Sequence, residues 1–131
     1  LSQTALAQSF TVLSGETRTA TQTMATDGDV GIVEAGGEIG TTGNLADGIA
    51  STGNGAQIIQ SGTIGTTGNG AIGIVSTGDA ARISLSGAIG TTGDDAYGIF
   101  SLGTAARIIQ NGTISTTGNF AYGILSDGDV A

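Results

Sequence analysis

The sequence at residues 62–87 reads GTIGTTGNGAIGIVSTGDAARISLSG, and the pattern starts again at Gly87. Gly37 opens an earlier copy and Gly112 a later one, so the copies follow one another at an interval of 25 residues. A fixed interval of this length is typical of repeat proteins, in which each copy forms one unit that stacks on the next. The repeat is therefore the feature from which the fold class has to be derived.

Each copy contains three short segments rich in β-branched residues, separated by corners in which Gly accompanies Asn or Asp. In the copy that starts at Gly62, the segments cover residues 63–67, 71–76 and 81–85. This composition favours strands and turns, and the 25 Gly residues of the chain disfavour helices. We predict an all-β fold, a parallel β-helix (β-solenoid) with three short strands per coil of about 25 residues and about five coils.

The repeat divides the chain into a segment outside the repeat, residues 1–12, and a single solenoid domain, residues 13–131. The copies run over residues 12–36, 37–61, 62–86, 87–111 and 112–131. The first copy is degenerate, as expected of a cap, and the short last copy is typical of a fragment of a longer array or of a subunit completed by a partner. Residues 5–7 (ALA) resemble the end of a secretory signal peptide; the alternative is an N-terminal strand that covers a coil edge in its own chain or in another.

Equivalent residues of stacked coils lie above one another, about 4.8 Å apart, and form ladders. The sequence predicts one apolar ladder per strand, and the three ladders together fill a narrow core. They are Ile39, Ile64, Ile89 and Ile114; Met24, Ile49, Ile74, Ile99 and Ile124; and Val33, Ile58, Ile83 and Ile108. The same interval aligns Gly15 with Gly40 and Thr17 with Thr42.

Two further ladders mark the corners of the coil. One consists of glycines, at which we expect either a positive φ or packing too close for a Cβ. The other consists of Asn and Asp residues, whose stacked side chains can hydrogen-bond between coils. The members are Gly28, Gly53, Gly78, Gly103 and Gly128, and Asn44, Asn69, Asp94 and Asn119.

The later copies resemble a known type of repeat. The segments IGTTGDDAYGI (residues 89–99), ISTTGNFAYGI (residues 114–124) and ARIIQNGTI (residues 106–114) resemble the repeats of bacterial autotransporter passengers and related large surface adhesins. The resemblance extends over residues 37–131. It implies a right-handed β-helix that is secreted to the bacterial cell surface, with a structural or adhesive role in cell adhesion or biofilm.

Composition argues against two classes of partner. Eleven acidic residues against three Arg give a net charge of −8, and Lys is absent. Nucleic-acid binding requires clustered Lys and Arg, and docking on an anionic lipid surface requires basic segments. No apolar run reaches the roughly 20 residues of a membrane helix, and without Cys there is no disulfide or thiolate metal site. We expect no nucleic-acid partner and no membrane insertion in this segment, and we interpret Arg82 and Arg107 as surface residues.

Paired acids are the candidates for acid/base chemistry or for Ca²⁺ binding. The pairs are Asp94 with Asp95, Asp27 with Asp29, and Asp127 with Asp129. All of them stand in corners, where Asp is favoured because its side chain bonds to the backbone. No Lys or His accompanies them. We interpret them as turn residues and predict no enzyme activity, no catalytic residue, no metal and no cofactor.

Two neighbouring Thr residues recur in the later copies. The pairs are Thr41-Thr42, Thr66-Thr67, Thr91-Thr92 and Thr116-Thr117. Adjacent strand residues point to opposite faces, so only one of the two Thr columns can be exposed. A flat exposed Thr array can order water and bind ice; the other interpretation is that Thr simply suits a strand.

Four of the five aromatic residues lie in the last two copies. If Ile99 and Ile124 face the core, their neighbours face outward and form an apolar stripe that a lone monomer does not normally expose. We predict a partner surface here, either for another solenoid or for a glycan that stacks on the rings. It comprises Tyr97, Phe100, Phe120, Tyr122 and Leu125.

These observations predict a secreted structural or adhesive β-solenoid that acts as a rigid surface stalk, an adhesin segment or an extracellular fibre. One alternative is a filament subunit that stacks end to end through open coil edges. An alternative of another class is an ice- or glycan-binding module. The expected partners are other copies of the chain, or a glycan or protein of a host or surface.

Overall fold

The computed structural model describes residues 9–128, and within them every regular element is a β-strand. The strands stack into five coils, because each coil contributes one strand to each of three five-stranded parallel sheets. The prediction of an all-β solenoid with three strands per coil is therefore confirmed. No helix in the described part of the chain is long and apolar enough to cross a membrane.

The three sheets, named A, B and C in the order in which the chain enters them, form the three sides of the coil. Sheet A contains β1 (Phe10–Val12), β4 (Val30–Val33), β7 (Gln57–Gln60), β10 (Arg82–Leu85) and β13 (Arg107–Gln110). Sheet B contains β2 (Thr17–Arg18), β5 (Glu38–Thr41), β8 (Thr63–Thr66), β11 (Ala88–Thr91) and β14 (Thr113–Thr116). Sheet C contains β3 (Gln22–Met24), β6 (Ile49–Ser51), β9 (Ile74–Ser76), β12 (Ile99–Ser101) and β15 (Ile124–Ser126).

From β5 onward, neighbouring strands pair in parallel at the interval that the repeat predicts. Ile64 of β8, for example, lies between Ile39 of β5 and Ile89 of β11. Corner residues keep the same spacing, since Asn44 and Asn69 bond to each other 25 residues apart. Alternate residues of each strand face inward, so one sequence position supplies one internal column throughout these coils.

The isoleucine ladders form the centre of the hydrophobic core. The members that precede the fifth coil are fully or almost fully buried: Ile39, Ile49, Ile58, Ile64, Ile74, Ile83, Ile89 and Ile99. In the fifth coil, the last that the structure describes, Ile108 and Ile114 are partly buried and Ile124 is 42% exposed. Burying one Ile contributes roughly 1.5–3 kcal/mol, so contact with a coil on each side supplies much of the stability of a coil.

The first four strands depart from the 25-residue interval, and the predicted alignment is wrong there. Met24 pairs with Ser51 and Val33 with Gln60, in each case two residues beyond the isoleucine of the predicted ladder. Both side chains are nevertheless fully buried. A shift of two residues keeps a side chain on the same face of a strand, so the core is preserved while the register changes.

Corner lengths explain this change of register. Only residues 19–21 connect β2 to β3, whereas residues 42–48 connect β5 to β6. Thr17 accordingly pairs with Glu38, and Gly15 donates its N–H to the carbonyl oxygen of Gly36. Glu38 lies four residues before Thr42, and Gly36 lies four residues before Gly40, which are the positions that the predicted alignment gives. The register of the first coil thus depends on loop length, which the side-chain pattern does not encode.

The described part of the solenoid begins at β1, whose residues the repeat pattern places in the segment outside the repeat. Residues 10–12 pair with β4 and supply the first strand of sheet A. Arg18 links the corners of this coil, because its guanidinium binds Glu16 Oε2 at 2.8 Å and the backbone oxygen of Thr11 at 2.7 Å. The predicted signal-peptide remnant, residues 5–7, lies outside the described residues.

Glycine columns run along the corners because the backbones of neighbouring coils touch there. A Cβ added to Gly78 would overlap the carbonyl group of Gly53, and the same contact recurs one coil later between Gly103 and Gly78. The predicted glycine ladder is thus a column of close approach from Gly53 onward. Gly28 differs, since it has a φ of +77° and its N–H bonds to the oxygen of Asn54.

Asn and Asp side chains bond one coil to the next at two corners. At the first corner, the Oδ1 atoms of Asn44, Asn69 and Asp94 accept hydrogen bonds of 2.8–3.0 Å from the backbone N–H one coil further along. At the second corner, which the sequence did not indicate, the Oδ1 atoms of Asp27, Asn54 and Asp79 do the same at 2.9–3.0 Å. These bonds satisfy turn N–H groups that have no strand partner.

A left-handed residue follows each of these polar corner residues. Leu45, Asp95 and Phe120 have φ values of 54–61° at the first corner, and Ala80 and Ala105 have a φ of 57° at the second. A non-glycine residue is uncommon in this region because its Cβ approaches the backbone. The N–H groups of Leu45 and Ala80 donate to carbonyl oxygens of the next coil, and this bonding holds the strained conformation.

Candidate functional site

The outer faces of the three sheets differ in chemistry. The outer side of sheet C carries Tyr97, Phe100, Tyr122 and Leu125, and we call it the aromatic face. The threonine face is the outer side of sheet B, with the exposed column Thr42, Thr67, Thr92 and Thr117. The arginine face is the outer side of sheet A, with Arg82, Arg107, Ile59, Ser84 and Ile109. Each face is a stack of equivalent positions, so its chemistry extends over several coils.

Strand alternation places the aromatic face on the outside of sheet C. In β12, Ile99 and Ser101 are buried, and Phe100 between them points outward. Phe100 pairs with Val75 in the preceding coil and with Leu125 in the following coil. These three side chains therefore form one apolar column parallel to the solenoid axis.

The rings of the aromatic face stack on one another. The ring centroids of Tyr97 and Tyr122 are 5.4 Å apart with an interplanar angle of 16°, and Tyr97 meets Phe100 edge to face, also at 5.4 Å and with an angle of 79°. Such pairs contribute about 0.5–1.5 kcal/mol beyond their buried area. One face of the Tyr97 ring is covered by Tyr122, so this ring does not offer a sugar both of its faces.

Phe120 does not belong to this cluster. It lies at the corner between sheets B and C, 75% exposed and with a φ of 54°. No aromatic partner for Phe120 occurs in residues 9–128. The same corner position holds Leu45 three coils earlier, and that side chain is also 75% exposed. The structure thus brings together Tyr97, Phe100, Tyr122 and Leu125 and separates Phe120 from them.

Asp47 occupies the tyrosine column three coils before Tyr122, and it is half-buried. Its Oδ1 accepts a hydrogen bond of 2.8 Å from the backbone N–H of Ile72. Burial raises the pKa of the Asp47 carboxyl above its ordinary value, and the hydrogen bond from Ile72 offsets only part of that rise. The column therefore begins with a carboxylate whose charge is disfavoured by its surroundings and ends with exposed aromatic rings.

The threonine face carries no charged residue in β8, β11 and β14. Thr66 and Thr91 face inward, where each donates its hydroxyl to a backbone carbonyl at 3.0 Å, while Thr67 and Thr92 after them are exposed. Beside the exposed column runs a strip of glycines, and a Cβ added to Gly65 would meet nothing within 4 Å. As predicted, one Thr of each pair faces in and the other faces out.

The arginine face carries two cations that have no acidic partner in the described part of the chain. Arg82 and Arg107 pair in register, and both are exposed. The one ion pair among residues 9–128 joins Arg18 to Glu16. Next to the guanidinium groups, Ile59 is 37% exposed and Ile109 is 48% exposed, with the smaller Ser84 between them. They border a shallow groove that also contacts both arginines.

The acids occupy structural positions. Asp27 and Asp94 accept backbone hydrogen bonds between coils, and the buried Asp29 accepts one of 3.0 Å from the N–H of Thr26. Residues 9–128 contain no group of three or more acidic, His or Cys side chains arranged to hold a metal ion. Asp129, the partner predicted for Asp127, lies outside the described residues.

The arginine-face groove was not predicted as a site, although the sequence contained a signal for it. The segment QIIQ (residues 57–60) places two isoleucines side by side in one strand, so one of them has to face outward. Ile58 faces the core and Ile59 faces solvent. The same argument applies to Ile108 and Ile109 two coils later.

No protein-family model matches this chain, and neither a curated protein nor a solved structure is similar enough to count as a match. The three outer faces are therefore the observations on which a proposal about function rests.

Replacing Asp47 by Asn tests the electrostatics of the tyrosine column. A raised pKa means that ionised Asp47 costs the folded state free energy, and this cost appears as the pH rises through and above the ordinary value of 3.8. Asn keeps the oxygen that accepts from Ile72 and carries no charge. We predict that Asp47→Asn raises the free energy of unfolding in urea at about pH 7 and loses this advantage at about pH 3. An equal effect at both pH values would contradict the burial of the carboxylate.

Proposed function

We propose that this chain is a structural segment of a secreted bacterial adhesin or surface fibre, and that its aromatic face packs side by side against another solenoid of the same kind. The observation that carries the proposal is the continuous apolar column of Val75, Phe100 and Leu125, flanked by the stacked tyrosine rings. The three side chains of the column are half-buried and face outward, and apolar patches on a protein surface mark interaction surfaces. The resemblance of the repeats to adhesin repeats supports the location and the role.

The bonding between coils supports a mechanical role. Three parallel sheets and two polar corners connect each of the regular coils to the next. In such an array the stability is approximately the sum of the contacts between neighbouring units. Because the regular coils make the same contacts, a pulling force along the solenoid axis meets similar resistance at each of them. The net charge of −8 suits a segment that has to stay soluble except at a chosen surface.

A protein partner fits the aromatic face better than a glycan. A sugar ring stacks on an open face of an aromatic ring, and the stacking of Tyr97 on Tyr122 covers one face of each ring, which leaves the outer face of the half-exposed Tyr122 as the main stacking surface. The remaining surface is an apolar column whose spacing is that of a β-strand stack, about 4.8 Å. Another solenoid presents side chains at the same spacing.

Side-by-side packing is also better supported than end-to-end stacking. Val12 and Met24 of the first coil are fully buried, so the core ladders present no open apolar surface at that coil. Stacking of another coil edge on the first coil would therefore bury little further area of these two core side chains.

Self-association is the test of this proposal. We expect the wild-type chain to associate as its concentration rises in sedimentation velocity, and we expect Phe100→Ala with Tyr122→Ser to weaken that association at least about tenfold, a loss of about 1.4 kcal/mol. Ala already stands in the Phe100 column at position 50, so the substitution suits the fold. The matched control is Phe120→Gly, which removes an equally large exposed ring outside the cluster and matches Gly70 at the same corner position. Association that the double variant leaves unchanged would refute the role of the aromatic face.

The threonine face supports ice binding as a second candidate function. The observation is the exposed column Thr42, Thr67, Thr92 and Thr117 beside an open glycine strip, on a face in which β8, β11 and β14 carry no charged residue. Regular hydroxyl and methyl groups at about 4.8 Å along the column can hold an ordered layer of water.

Inhibition of ice recrystallisation checks this second candidate. We expect inhibition by the wild-type chain and its loss in Thr67→Lys with Thr92→Lys, because charged side chains on the face disturb an ordered water layer. Ser84→Lys on the arginine face is the matched control. No inhibition by the wild-type chain would exclude ice binding.

A further inference from the structure

We infer that the arginine face is the surface against which the aromatic face of a second copy of this chain packs. The inference rests on the proposed function, because it names the surface that the aromatic face contacts. Such a contact is heterologous: two different faces of the chain meet, rather than one face meeting its own symmetry mate.

The charge of the arginine face suits it to this contact. Arg82 and Arg107 are stacked in register, at the coil spacing of about 4.8 Å, and no acid lies within ion-pair distance of either in the described part of the chain. Two like charges this close repel. Arg18 is already bound to Glu16. The chain has a net charge of −8, and two of its three cations lie on this one face without an acidic partner among the described residues. The face is therefore suited to a partner surface that accepts hydrogen bonds or carries negative charge.

The aromatic face has the complementary groups. Tyr97 and Tyr122 supply phenolic oxygens, which accept hydrogen bonds from guanidinium groups. Asp95 is exposed at the corner that leads into Tyr97, and its carboxylate is the type of group that Arg binds with two parallel hydrogen bonds. The two tyrosines, like the two arginines, lie one coil apart in a column. Each tyrosine can therefore face one arginine when the two faces meet.

The shapes of the two faces are also complementary. On the arginine face, the exposed side chains of Ile59 and Ile109 stand two coils apart and the smaller Ser84 lies between them, which leaves a notch. On the aromatic face, the largest side chain of the apolar column, Phe100, stands between Val75 and Leu125. Because both faces repeat at the same coil spacing, Phe100 of one copy can occupy the notch at Ser84 of the next.

The contact is small. Five coils at about 4.8 Å give a face about 24 Å high, and the buried area stays below the roughly 800 Å² per partner of a standard interface. Association of this chain is therefore expected to be weak and to show at high protein concentration. Since every copy offers both faces, the assembly proceeds beyond a dimer, either to a ring or to an open array.

A mixing experiment tests the inference. The arginine-face variant is Arg82→Glu with Arg107→Glu, and the aromatic-face variant is Phe100→Ala with Tyr122→Ser. Each is studied by sedimentation velocity alone and in an equimolar mixture. A milder pair, Arg82→Gln with Arg107→Gln, guards against misfolding because Gln57 holds the equivalent position one coil before Arg82.

The expected result is that the wild-type chain assembles beyond a dimer, that each variant alone is monomeric, and that their mixture forms dimers. Each variant then contributes the one face that the other lacks. The Gln pair is expected to weaken association at least about tenfold. If the arginine-face variant assembles as the wild type does, the aromatic face binds another surface and the inference fails while the proposed function stands. If the wild-type chain stays monomeric at every concentration, both fail.

Discussion

Contact between the backbones of neighbouring coils is the constraint on which the rest of this structure depends. At the corners the coils approach so closely that a Cβ at Gly78 or Gly103 would overlap the carbonyl group of the glycine one coil before it. Between the corners, parallel strands bond each coil to the next, and at two corners Asn and Asp oxygens replace the missing strand partners. A coil that lost this contact would lose its core and its corner hydrogen bonds together.

The same constraint explains why the surface chemistry is arranged in columns. A fixed register places equivalent residues above one another, so a substitution that recurs in successive copies builds a row of identical side chains. Tyr97 and Tyr122 form a ring stack in this way, and Arg82 and Arg107 form a row of charge that no acid pairs with in residues 9–128. The faces that we connect with function are therefore a direct consequence of the repeat.

Much of this could be read from the sequence, because period and alternation determine both register and burial. The period identified the solenoid, and alternation identified Phe100 and Leu125 as outward residues. The first coil could not be predicted, since its register depends on corner length rather than on side-chain pattern; Met24 lies over Ser51. The separate position of Phe120 could not be predicted either. Its backbone has a positive φ, which a bulky aromatic residue does not favour.

Whether backbone contact sets the coil spacing is decided by comparing the free energies of unfolding of Gly78→Ala and Gly65→Ala. Gly78 touches the backbone of the coil before it, whereas a Cβ at Gly65 meets nothing. We predict that Gly78→Ala costs about 3 kcal/mol, the upper end of the usual cost of overpacking, because the atoms that its Cβ would meet belong to the backbone of the coil before it. We predict that Gly65→Ala is neutral or stabilises by about 0.4–1 kcal/mol, because Ala restricts the unfolded chain. Equal effects of the two substitutions would contradict the claim that backbone contact at the glycine columns sets the coil spacing.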